Sequence, residues 1–123
     1  MNITIQIFLK LLLRLQSGSI KKAVSLKDRE EEYTKTNQIF NNLENIDIID
    51  IMESKEQIFK DKTQIDDILS YINLIFSDKI KENIKYVECM KKVEDTKDRL
   101  NKNNNFDMTI DNFIITVWEE ING

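Results

Sequence analysis

Near the C-terminus, Phe106, Ile110, Phe113, Ile114, Val117, Trp118 and Ile121 fall at i, +4, +7, +8, +11, +12 and +15. That spacing follows a helix of roughly 3.6 residues per turn and draws one continuous apolar face. In a strand the same set would be split between opposite sides of a sheet. The segment therefore predicts an amphipathic helix. Asn105 is its expected N-cap, and Asp107 puts negative charge in the first turn, where the helix dipole favours it. Side chains of this size are worth about 10–20 kcal/mol together if fully buried. Trp118 reads either as core or as the anchor of a partner, because a small domain need not cover so wide a face alone.

The same periodicity recurs upstream. Tyr86, Cys89, Met90, Val93 and Leu100 share a face, with acid-before-base pairs Glu88/Lys92, Asp95/Arg99 and Asp98/Lys102 outside. The asparagine-rich run at 101–105 ends that helix, since asparagine tolerates left-handed backbone. Ile65, Ile68, Leu69, Ile72, Ile75, Phe76 and Ile80 form a third stripe, capped by Thr63 or Asp61. Ile48, Ile51, Met52 and Phe59 predict a shorter helix from Asp47. Residues 28–45 carry Tyr33, Ile39, Phe40 and Leu43 on a charged helix. Ser17-Gly18-Ser19 separates the apolar-rich segment 3–15 from a short helix over 20–26, with Ser17 or Ser19 as N-cap. Ile3, Ile5 and Ile7 alternate like a strand, but nothing nearby offers a partner. The reading is all-α: an antiparallel helical bundle of five to six helices joined by short connections.

Composition narrows the chemistry. The chain has no histidine, no proline, one cysteine, and two glycines, of which Gly18 alone is internal. Without histidine there is no Ser-His or Cys-His pair and no carboxylate-histidine metal site. One internal glycine cannot build a phosphate-cradling loop. A lone thiol excludes an internal disulfide and fits a reducing cytoplasm. The net charge is -4, and the lysines are interleaved with acids, so no counterion-releasing footprint for duplex DNA is present. Residues 3–15 lack the basic start and small-residue exit of a signal peptide, and their apolar runs are too short to span a bilayer.

Three local arrangements invite a site and do not make one. A calcium loop from Asn101 would use Asn103 and Asn105, but Phe106 stands where glycine is needed and Asn112 where a bidentate glutamate is needed. Asp47 and Asp50 can share a helix face, with nothing beside them to split their proton affinities. Cys89 lies on an apolar face, away from any activating charge, and reads as an inert thiol. No catalytic, metal or cofactor residue is assigned, and no small-molecule substrate is expected. An enzyme here would have to work with carboxylates or lysines alone.

Glu94, Thr96, Arg99, Leu100, Asn103, Asn105, Ile110 and Asp111 follow in order a pattern of the type E-x-T-x-R-x-L-x-x-N-x-N-x-x-x-x-I-[DE]. This stretch resembles the last two helices of the bacterial DNA polymerase III delta-prime subunit, and the closing residues 118–122 are similar to clostridial-type members. Upstream, residues 14–23, with Ser17, Gly18, Ser19 and Lys22, are similar to the start of a lid helix in these AAA+ proteins. Lys21 replaces the family's second glycine, and Lys22 falls near the sensor-2 position.

The resemblance implies a division into residues 1–27, a remnant of the AAA+ lid, and residues 28–123, a helical collar domain. It implies a non-catalytic module of DNA replication that packs against the collars of the other clamp-loader subunits, delta and gamma/tau, and so holds their ring together. Contact with primed DNA and the sliding clamp would be indirect, and the location cytoplasmic. Thr96, Arg99, Leu100, Asn103, Asn105, Phe106, Ile110, Asp111, Ile114 and Trp118 are the expected family-motif and interface residues. The nucleotide-binding core and arginine finger of the family have no counterpart here, so the chain is expected to be a fragment, a truncated reading frame or an isolated domain without ATPase activity. The competing expectation is a stand-alone helical adaptor or regulator that binds its partner through the 106–121 face.

Overall fold

The computed structural model of the chain describes residues 20–102 and 104–123, with side chains from Arg29 onward. Among the described residues the fold is all-α, with no strand. It comprises α1 (Ile20–Phe40), α2 (Ile48–Ile58), α3 (Ile65–Lys79), α4 (Tyr86–Asn101) and α5 (Phe106–Asn122). Single 3-10 turns at Leu43–Asn45 and Lys62–Gln64 form the two corners that flank α2.

Two expected helix starts are made by the expected side chains. The Asp47 carboxylate accepts the Ile49 N–H at 3.1 Å, and the Asn105 side chain accepts the Met108 N–H at 3.0 Å. Neither candidate caps α3 itself: Asp61 accepts both the N–H and the hydroxyl of Thr63 and so caps the 3-10 turn ahead of it, and α3 starts from Gln64 without a side-chain cap.

The first helix differs from expectation. The separate helices over 20–26 and 28–45 are one element, because Lys27 and Asp28 contain nothing that stops a helix and α1 runs through them. The expected domain boundary between 27 and 28 therefore falls inside a continuous helix. The helix stops at Phe40 rather than 45. There the Asn42 side chain turns back to donate to the Gln38 carbonyl at 2.8 Å, and the chain tightens into the first corner. The alternating segment at 3–7 and the rest of the apolar-rich segment 3–15 lie outside the described residues.

Cross-contacts fix the topology. Lys97 near the end of α4 reaches Ser70 near the start of α3, while Phe76 and Tyr86 stack at the other end, so α3 and α4 are antiparallel. The contacts Lys55 to Asp111 and Trp118 to Ile46 make α2 antiparallel to α5. Arg29–Asp67, Asn37–Tyr71 and Phe40–Phe76 advance together along both chains, so α1 runs parallel to α3. The result is an up-down-up-down-up bundle, as short connections require.

Phe40 stands at its centre, with ring centroids 6.0 Å from Phe76 and 6.1 Å from Phe113. Ile51, Ile58, Leu69, Ile72, Val93, Ile114 and Val117 close around these rings. Outside, Arg99 pairs with Asp95 and Lys102 with Asp98 as the sequence suggests, but Glu88 pairs with Lys91 rather than Lys92. Either partner lies within one turn of Glu88, and exposed pairs of this kind differ little in energy.

Candidate functional site

The apolar face of α5 is not a free surface. Ile110, Phe113, Ile114, Val117 and Ile121 are buried inside the bundle, and Phe106 and Trp118 are partly buried against it. The Trp118 indole N–H donates to the Ile46 carbonyl at 2.8 Å, which ties α5 to the first corner. Of the two readings of this face, core or partner anchor, the structure shows core. The chain covers it with α2, α4 and the Leu43–Asn45 turn, an arrangement whose long-range contacts periodicity alone does not show. An adaptor that docks through the 106–121 face would have to open its own core.

Most of the motif residues serve that packing. Thr96 is buried, its hydroxyl returned to the Lys92 carbonyl, and Leu100 is partly buried against the core. Asn105 is spent on its cap, not on a cation. Asp111 accepts a 2.6 Å ion pair from Lys55, and Arg99 is exposed beside Asp95. Asn103, Ser17, Gly18 and Ser19 lie outside the described residues. Lys22 falls within α1, but its side chain is outside them too.

Two shallow features mark the surface. A cleft of about 100 Å³ between α2 and α5 is lined by Lys55, Lys60, Lys62, Phe106, Asp107 and Asp111, with the Lys62 ammonium 5.0 Å from the Phe106 ring centre. Its charges are mixed and largely cancel, so it selects neither an anion nor a cation. A wider groove of about 410 Å³ runs beside the α4–α5 connection, lined by Arg99, Asn104, Asn105, Met108, Thr109 and Asn112. Met108, 71% exposed, and Ile115, 40% exposed, are seven residues apart and share the outward side of α5.

The polar chemistry lies where the sequence does not advertise it. At the first corner, Tyr86 donates its hydroxyl to Glu44 at 2.5 Å, and Lys79 bonds both Glu44 and the Asn41 carbonyl. Burial pushes the Glu44 carboxyl up, but the hydrogen bonds from Tyr86, its own backbone and Lys79 outweigh it, and the net shift is downward. Tyr86 is pushed up by its own burial and by the Glu44 carboxylate.

Across α1 and α3, the Arg29 guanidinium donates to Asp67 at 2.9 Å and to the Tyr33 hydroxyl oxygen at 3.1 Å. One turn on, Glu32 is buried, and no donor among the described residues reaches its Oε1. Arg29, Glu32, Tyr33, Thr36 and Phe40 follow one another at helical spacing. Continuing the Tyr33–Phe40 stripe one turn back is the signal that would have placed these two charges inside.

Cys89 is fully buried, its Sγ facing the Val117 carbonyl, and burial pushes the thiol up to about 12. It is inert, as its apolar neighbours suggest. No metal-holding cluster of acids and cysteine occurs among the described residues, and none of their helices is long and apolar enough to cross a membrane. The chain matches no family model, no curated protein and no solved structure.

Proposed function

We propose that the chain is a non-catalytic assembly domain that acts in DNA replication as the helical collar of a clamp-loader delta-prime subunit of DNA polymerase III. The observation that carries this reading is the α4–α5 hairpin. Of the residues that resemble the delta-prime pattern, Thr96 and Ile110 are buried in it and Asn105 caps α5. A pattern of this kind describes a packed hairpin, which is what a collar needs. Delta and gamma/tau collars are the partners, DNA and clamp are met only through them, and the location is cytoplasmic.

Because the α5 apolar face is occupied, the partner-facing side is the opposite one, where Met108 and Ile115 stand exposed beside Arg99 and Asn112. Two large apolar side chains flanked by polar groups suit the centre of a subunit contact. The test is capture of the chain by purified delta and gamma/tau subunits. Capture is expected for the wild type and not for Met108→Asp/Ile115→Asp, whose melting temperature should be unchanged. A monomer that ignores those subunits sinks the proposal.

A further inference from the structure

We propose that Glu32 is a proton-operated latch on the seam between α1 and the two helices it packs against, α2 and α3: its neutral carboxyl lets the seam lie closed, and its ionisation loosens it. The geometry is that of a group poised between two states. Glu32 lies eight residues before the end of α1, and it is 5% exposed with an orphaned Oε1. A carboxylate in that position keeps one oxygen, Oε1, that has lost water without gaining a donor, whereas a carboxylic acid tolerates the same burial far better.

The surrounding charges do not rescue it. Lys60 and Asp61, both on the second corner, act on Glu32 with opposite sign. Arg29, on its own helix, favours the ionised form but is already bonded to Asp67 of α3 and to Tyr33. Burial dominates, and the carboxyl is pushed up to about 7.

The direction of the linkage follows. Between the ordinary glutamate value of 4.5 and about 7, the folded chain holds a proton that the unfolded chain has released. Stability is therefore highest below that window and falls as pH rises through it. The latch would be half engaged near neutral pH, where a small local change in acidity moves it most. This inference stands apart from the assembly reading, since it concerns a seam distant in sequence from Met108 and Ile115.

The experiment compares the full chain with Glu32→Gln, which keeps the shape and stays neutral. Thermal melting and amide exchange are followed from pH 5 to pH 8. At pH 8, amides around 30–36 and 58–62 are expected to exchange at least tenfold faster in the wild type than in the variant, with the variant melting several degrees higher; at pH 5 the two should coincide. A difference that does not change with pH overturns the latch. A carboxyl-carbon NMR titration of the wild type decides the matter even if the variant fails to fold. One glutamate titrating more than about one pH unit above the rest supports the proposal, and a set that titrates together overturns it.

Discussion

The fold treats two glutamates in opposite ways. At the first corner, Glu44 receives the Tyr86 hydroxyl and the Lys79 ammonium, and its proton affinity drops. On α1, Glu32 is the more deeply buried of the pair, yet its Oε1 receives nothing, and its proton affinity rises. Burial alone therefore does not set the behaviour of a carboxyl group. The count of donors that arrive with it does. The two groups also pull stability in opposite directions with pH. Glu44, whose folded value is lowered, contributes stability present above its ordinary 4.5 and lost as pH falls through its folded value. Glu32 costs stability as pH rises from 4.5 towards 7. The most stable condition should lie on the mildly acidic side of neutral.

The comparison can be broken most forcefully at the first corner. Trp118→Ala removes both a large packed ring and the bond to the Ile46 carbonyl, and should cost about 3 kcal/mol in urea unfolding. A loss below about 1 kcal/mol would mean that α5 does not clasp this corner. Glu32→Gln should go the other way, adding about 2 kcal/mol at pH 8 and almost nothing at pH 5. Tyr86→Phe takes one donor from a carboxylate that water can still reach, so a loss of about 1 kcal/mol is expected at pH 7, shrinking as Glu44 is protonated in acid. If the two glutamate sites are independent, Tyr86→Phe and Glu32→Gln should add within about 0.5 kcal/mol in the double variant. Smallest of all, Arg99→Ala breaks only an exposed pair with Asp95, and its unfolding midpoint should correspond to a change within about 0.5 kcal/mol.

What the sequence makes legible is the local part of this fold. The stripes of α3, α4 and α5 and the caps Asp47 and Asn105 depend on residues within a few positions of one another, and each stands as its spacing suggests. α1 is less readable. Its charges surround Tyr33 and Phe40 and resemble a solvated helix until α3 is laid alongside and Asp67 meets Arg29 across 38 positions. The Tyr86–Glu44 bond spans 42 positions and leaves no local trace. The 106–121 face is the instructive case. Periodicity says correctly that it must be covered, and only the tertiary arrangement says that α2, α4 and the first corner do the covering.

The bonds from Trp118 to the Ile46 carbonyl and from the Asn122 amide to the Leu43 carbonyl join positions 72 and 79 residues apart. During synthesis the first corner is therefore made long before the groups that complete it leave the ribosome. The carbonyls of Leu43 and Ile46 must keep water as their partner until α5 has emerged. A nascent chain stalled after α4 would present the α2 and α4 surfaces bare, and those are the surfaces a chaperone would have to shield.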